Sequence, residues 1–230
     1  MTNDSVTAIA AVMPAAGIGS RMQAKLPKQY LQLHGKTILE HSVARLQAVP
    51  AISRIWLALA ADDPYFAGTA LEQSDIVRVK GGAERMHSVL NALQFIDEHL
   101  YPWVLVHDAA RPVVRRSDIE LLIARCLAAE QGGILACRVR DTMKRGELKV
   151  SETVSREHLW HALTPQFFPT ALLRAALKDA ITAGVHVTDE ASAMEWAGHS
   201  VLLVEGHSDN IKITQPADLA LAAFYLEQIV

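Results

Sequence analysis

The chain has 230 residues, with 22 Lys and Arg against 25 Asp and Glu and a net charge of −3. That balance gives no general attraction to nucleic acid, so any cation that matters acts locally. Half of the residues are hydrophobic and a fifth are charged, which supports a sizeable core in one α/β domain spanning 1–230. No apolar run approaches the roughly 20 residues of a membrane span, and the start Met1-Thr2-Asn3-Asp4-Ser5 has no basic leader. Cys126 and Cys137, the only cysteines, lie outside any C-x-x-C motif. They read as buried free thiols of a reducing cytoplasm.

In chain order, the first predicted strand is Ala8–Met13. It breaks at Pro14 into Ala15-Ala16-Gly17-Ile18-Gly19-Ser20-Arg21-Met22 and reaches Leu26-Pro27-Lys28. Gly17 and Gly19 lack a Cβ, so this loop can take φ > 0 and aim backbone N–H groups at an anion. Arg21 and Lys28 add full positive charge, and Pro27 limits where Lys28 can point. Two better-known glycine loops fail here. The third glycine of a dinucleotide fingerprint is replaced by Met22, and no stretch has Walker A spacing.

Helical spacing follows over Ile38–Leu46, then strands over Arg54–Ala60 and Ile76–Val79. Gly81-Gly82-Ala83-Glu84-Arg85 opens a helix predicted over Arg85–Ile96, where backbone groups near Gly82 are placed to read a base edge and Ser88 to lie near a ribose. The strand Trp103–Val106 delivers His107-Asp108-Ala109-Ala110-Arg111-Pro112. An aspartate at a strand's carboxyl end, facing a phosphate loop, suits Mg²⁺, and Arg111 suits a phosphate.

A helix over Asp118–Ala129, signalled by Ser117-Asp118, leads to the strand Gly133–Cys137. The polar stretch from Arg138 to Val154 reads as a hairpin turning at Arg145-Gly146-Glu147. An isolated hairpin is marginal in water, so this one either lies on its own domain or is an arm exchanged with a partner subunit. His158 and His161 lack a third metal ligand nearby in sequence.

A helix over Thr170–Ala183 comes next, and Val187–Glu195 reads as a capped helix start that leaves Thr188 as a hydroxyl contact. A strand over Val201–Val204 precedes Asn210-Ile211-Lys212-Ile213 and a last helix over Pro216–Ile229. If the 211–213 segment is extended, Lys212 faces away from both isoleucines; the plainer reading leaves it in solvent. Strand–helix alternation predicts a mostly parallel sheet covered on both faces, with ligands beyond the strands' carboxyl ends. Both the glycine loop and Asp108 fall there. No motif for a covalent nucleophile is present.

Together, Pro14–Met22, Pro27-Lys28-Gln29-Tyr30, Val106–Pro112, Asp141-Thr142, Leu163-Thr164-Pro165-Gln166-Phe167, Thr188–Ser192 and Asn210-Ile211-Lys212 resemble, in order and almost end to end, the 2-C-methyl-D-erythritol 4-phosphate cytidylyltransferase family of the non-mevalonate isoprenoid pathway. The resemblance implies a Rossmann-like nucleotidyltransferase fold with a protruding β-arm, CTP and methylerythritol phosphate as substrates, and Mg²⁺. It also implies a homodimer exchanging arms over 138–156, with no fused cyclodiphosphate synthase and no nucleic-acid or membrane partner.

By correspondence, Arg21, Lys28 and Lys212 carry catalysis, and Ala15, Ala16, Gly17, Gly19, Gly82 and Ser88 bind CTP. Asp108, Arg111, Thr164 and Thr188 surround the acceptor, Asp108 doubling as the metal residue, while Thr142 and Arg156 enter from the partner's arm. Ser20 stands where some relatives have a second Arg, and Ala83 where some have Asp. Two other functions compete: cytidylyl transfer to another polyol phosphate such as ribitol 5-phosphate, and non-catalytic nucleotide binding by a regulator.

Overall fold

Six residues, Ile9–Pro14, form β1 at the centre of the sheet, and their alternation shows how the layers are built. Ile9, Ala11 and Met13 enter one apolar cluster while Ala10 and Val12 enter another on the opposite face. A strand apolar on both sides must be covered on both sides. The computed structural model describes residues 7–17, 22 and 26–229.

After a short hairpin, β2 (Gln32–Leu33) and β3 (Lys36–Thr37), the chain enters α1 (Ile38–Gln47). Thr37 and Glu40 close its first turn as a capping box. β4 (Ile52–Leu59), β5 (Ile76–Lys80), α2 (Arg85–Leu93), β6 (Trp103–Val106), α3 (Arg116–Ala129) and β7 (Gly133–Arg138) continue the alternation. A separate two-stranded unit, β8 (Met143–Gly146) with β9 (Val150–Val154), precedes β10 (Trp160–Pro169), α4 (Thr170–Thr182), α5 (Glu190–Trp196), β11 (Leu202–Glu205) and α6 (Pro216–Gln228).

The seven-stranded sheet runs β11-β7-β10-β6-β1-β4-β5. Only β10 is antiparallel to its neighbours. Residues of α1 and α3 cover one face, those of α2, α4 and α5 the other. Phe167 and Phe168 of β10 are fully buried, one in each cluster, and truncating either to Ala would cost about 3–5 kcal/mol. The predicted α/β fold with a mostly parallel, doubly covered sheet is the one observed.

Three local expectations are corrected. β10 was not among the predicted strands: Pro165 and Pro169 disguise it locally, and its pairing partners β6 and β7 are distant in sequence. The hairpin turns after Gly146, at 147–149, rather than around it. A Cβ on Gly146 would lie 2.1 Å from the Lys149 carbonyl oxygen, so the chain crosses itself there only as glycine. Asp118 does not start α3, which begins at Arg116. It is buried in the first turn, where Oδ2 accepts the His207 N–H at 2.9 Å and Oδ1 faces His207 Nδ1 at 2.8 Å. A tertiary partner took the carboxylate that local capping rules assigned to the helix end.

Candidate active site

β1 and β6 are adjacent, and the chain leaving β1 returns to the sheet toward its β5 edge while the chain leaving β6 returns toward its β11 edge, which opens a crevice at their carboxyl ends. Ala15 keeps its N–H in the ladder, donating to the Ala58 carbonyl at 2.8 Å. The buried Gln29 side chain then donates to the carbonyls of Ala15 at 2.7 Å and Gly17 at 3.1 Å. Gly17 itself has no positive φ and open space where a Cβ would stand. The expected left-handed glycine is therefore replaced, in the described part of this loop, by a glutamine strut. Gly19 and Arg21 lie outside the described residues, as do Ile18 and Ser20. Pro27, at φ −57°, leads into a 3-10 turn, Lys28–Tyr30, and Lys28 Nζ donates to the Ile213 carbonyl at 2.9 Å.

Glycine is sterically required on the facing loop instead. A Cβ on Gly81 would sit 2.4 Å from Ala16 Cβ, and one on Gly82 would sit 2.3 Å from His87 Cβ. Bare Gly81 lets the loop after β5 close on the loop after β1, and bare Gly82 lets the same loop fold against its own following helix α2. Ser88 is buried, accepts the Gly82 N–H at 3.0 Å and donates to the Glu84 carbonyl at 3.2 Å. Its hydroxyl holds that turn while its residue lines the crevice.

The third wall follows β6. The His107 ring meets the Arg111 carbonyl through Nε2 at 3.0 Å and Thr164 Oγ1 through Nδ1 at 3.0 Å. A carbonyl only accepts, so Nε2 carries the proton and Nδ1 accepts from the threonine hydroxyl. Burial is the main reason that His107 is pushed down to about 4, which keeps it neutral. Thr164 also accepts the Asp108 N–H at 3.0 Å. It reaches this position because the β10 ladder is irregular between Ala162 and Gln166.

Asp108 is enclosed by cations. Oδ1 accepts from Arg85 Nε at 2.9 Å; Oδ2 lies 2.8 Å from Lys212 Nζ and 3.6 Å from Arg111 Nε. Burial alone would raise its pKa, but Arg85, Lys212 and Arg111 hold it well below the carboxylate range. Arg111 is buried and donates through Nη1 to the Asn210 carbonyl at 2.6 Å. Asn210 donates to the Thr164 carbonyl at 2.8 Å, and the Ile213 N–H donates to the Ala110 carbonyl at 2.9 Å. The 210–213 segment is thus pinned across the β6 loop. This overrides the plainer reading of Lys212 as a solvent-exposed cation.

Two adjoining cavities result. One of about 190 Å³ brings together Ala15, Ala16, Gly17, Lys28, Gly82 and Ser88. The other, of about 180 Å³, brings together Arg111, Thr164, Gln166 and Thr188. Arg85, Asp108 and Lys212 line both. Thr142 and Arg156 line neither; both are exposed near the β8–β9 hairpin, where Arg156 Nη1 donates to the Arg140 carbonyl.

Arg85, Glu190, Gln29 and Gln166 were not assigned site roles from sequence. Helical periodicity held a signal for two of them. Arg85 falls on the stripe of Ser88, Val89, Ala92 and Leu93, and Glu190 on that of Ala193 and Met194. A charge on a buried stripe needs a buried partner.

No group of three or more His, Cys, Asp or Glu that could hold a metal occurs among the described residues. His158 and His161 are therefore not part of such a site there. Asp108 offers one carboxylate with both oxygens engaged by cations. It fits Mg²⁺ in the way that ion commonly binds, sharing one or two protein carboxylates with substrate phosphates and water, provided that Lys212 gives up its contact.

A crevice that presents cations and bare backbone on one side of a carboxylate, and cations and hydroxyls on the other, suits the joining of two phosphate-bearing substrates. The fold and site define a nucleotidyltransferase. The family described as "IspD: 2-C-methyl-D-erythritol 4-phosphate cytidylyltransferase" matches residues 9–228. A 2-C-methyl-D-erythritol 4-phosphate cytidylyltransferase of Vibrio vulnificus (strain CMCP6) is 57% identical over 229 residues, covering 97% of each chain. That of Pseudoalteromonas translucida (strain TAC 125) is 53% identical over 228 residues, covering 99% of this chain and 94% of its own. The crystal structure of the Francisella tularensis 2-C-methyl-D-erythritol 4-phosphate cytidylyltransferase superposes with a TM-score of 0.83 at 36% identity, over 95% of this chain and 99% of that one. The chain belongs to this family: it is a cytidylyltransferase of isoprenoid biosynthesis that carries the cytidylyl group of CTP to 2-C-methyl-D-erythritol 4-phosphate.

Proposed function

We propose that the reaction is a direct displacement, in which a phosphate oxygen of methylerythritol phosphate attacks the α-phosphorus of CTP. The new P–O bond forms as the bond to the β-phosphate breaks, and the electron pair leaves with pyrophosphate. A phosphate monoester is largely ionised at neutral pH, so no strong general base is required. The task is to bring two anions together and stabilise the charge of a five-coordinate phosphorus. Lys28, Lys212 and Arg21 are assigned that work. Ala15–Gly17, Gly19, Gly82 and Ser88 form the nucleotide side; Asp108, Arg111, Thr164 and Thr188 form the acceptor side. The observation that carries this reading is the position of Lys212, on the wall shared by both cavities and 2.8 Å from Asp108.

Mg²⁺ is the proposed cofactor; when bound it neutralises charge on the triphosphate, with Asp108 as its protein ligand. The two free cysteines accord with a cytoplasmic enzyme.

We further propose a homodimer in which the 138–156 arm crosses to the neighbouring subunit, delivering Thr142 and Arg156 to its acceptor cavity. The reading is supported by the exposure of Leu148 and Val150 on this arm and by the placement of Thr142 and Arg156 outside the linings of the two crevice cavities of their own chain.

Pyrophosphate release from CTP and Mg²⁺ with a panel of acceptors tests the assignment. Preference for methylerythritol phosphate is expected. A higher kcat/KM with ribitol 5-phosphate would reassign the acceptor, and CTP binding without turnover would favour a regulator. Mixing Lys28→Ala and Arg156→Ala subunits tests the arm. Random exchange restores one intact site in each hybrid, about a quarter of wild-type activity for a two-fold dimer; no recovery after verified exchange rejects the shared site.

A further inference from the structure

The wall between the cavities is anchored by a residue that touches neither substrate space. Glu190, at the start of α5, is completely buried. Its two oxygens accept from Arg85 Nη1 at 2.6 Å and Nη2 at 2.9 Å. Arg85 has one nitrogen left, Nε, and it donates to Asp108. Gln166 secures the arrangement: its Oε1 accepts the Ala191 N–H at 2.9 Å and its Nε2 donates to Asp189 Oδ2 at 2.9 Å. Glu190 is thus set by a glutamine on β10, Arg85 by Glu190, and Asp108 by Arg85.

The cations on this wall differ in freedom. Lys212 is a partly exposed single-point donor that can leave Asp108 for an incoming phosphate. Arg85 lines both cavities and, as a planar fork, would itself be an excellent phosphate ligand. Its occupation by Glu190 prevents that.

Building on the displacement reading above, we infer that Glu190 is a positioning residue for cytidylyl transfer. By taking both terminal nitrogens of Arg85, it dedicates the third to Asp108 and keeps this guanidinium off the substrate phosphates. Asp108 then retains a hydrogen-bonded cationic partner when Lys212 turns toward substrate. Without it, the carboxylate would keep only the longer 3.6 Å contact to Arg111 Nε beside two anionic substrates.

Steady-state kinetics with both substrates, together with thermal unfolding, tests this. Glu190→Gln preserves shape and one acceptor but not the charge. Its kcat is expected to fall by about 10- to 100-fold, as small misplacements at a reacting centre do, while KM for CTP changes by less than about threefold. Glu190→Asp, which keeps the charge but withdraws it by one methylene, carries the same expectation. The double variant Arg85→Gln/Glu190→Gln separates positioning from support of the fold. Neutral replacement of both members of a buried ion pair is often tolerated structurally, so its thermal midpoint should recover toward wild type while its kcat should not. Near-wild-type kcat in any of the three variants, or a fall in kcat matched by an equal rise in KM for CTP, overturns the inference. An inactive wild-type enzyme would instead reject the reaction assignment itself.

Discussion

The wall around Asp108 and the β8–β9 arm both pair arginine with carboxylate, in opposite surroundings. Arg85 meets a Glu190 with no exposed surface. Arg145 meets Glu152 with the two side chains 71% and 51% exposed. In the first region water cannot replace a lost partner, so breaking the pair strands a buried charge at a cost of about 3–5 kcal/mol. In the second region water and salt replace either partner, and the pair contributes about 0–1 kcal/mol. Identical chemistry therefore makes a fixed electrostatic framework at the sheet's carboxyl ends and only a solvated surface on the arm. The difference matters because displacement between anions needs charges that do not reorganise as the reaction proceeds.

The strongest challenge to this contrast is removal of the site's cations. Lys28→Ala and Lys212→Ala should each lower kcat by about 10²–10³-fold in steady-state assays, the usual effect of deleting one charge-stabilising donor. Near-wild-type turnover in both variants would mean that the framework does not serve the chemistry.

A second test uses the titration of His107. Its pKa, pushed down to about 4 mainly by burial, lies below its unfolded value, so between the two only the unfolded chain binds the proton. The stability from keeping this ring neutral is complete above about pH 6.5 and is lost as pH falls toward 4, amounting to about 3 kcal/mol. Chemical denaturation across that range, wild type against His107→Gln, should show a shallower loss in the variant. Equal slopes would indicate that the site is wetter than its packing implies.

The smallest effect belongs to the arm. Arg145→Ala should change unfolding free energy by no more than about 1 kcal/mol and be insensitive to added salt once the pair is gone. A loss above about 2 kcal/mol in denaturant titrations would show that the arm's pair is buried in the functional assembly, which itself would support arm exchange.

Much of the fold was legible because β1, β6 and β7 are apolar runs and the helices between them keep a helical period. β10 was not, since its prolines obscure strand character and its partners are supplied by β6 and β7. The site was legible where charge follows directly on a strand, as at Asp108 and Arg111. It was misjudged at Gly17, where composition suggested a left-handed turn and Gln29 instead holds the loop; the close packing that demands glycine is at Gly81 and Gly82.

Sequence by itself determined the doubly covered sheet, the end of it at which the candidate site lies, and the family, because periodicity and motif order are local properties of the chain. Only the tertiary structure decided that Lys212 faces Asp108 rather than solvent, that Asp118 serves His207 rather than a helix end, and that Glu190 holds Arg85. Each is a contact to a buried carboxylate from a residue tens of positions or more away. Its partner is chosen by which groups lose water together when the layers close, and no local pattern encodes that choice.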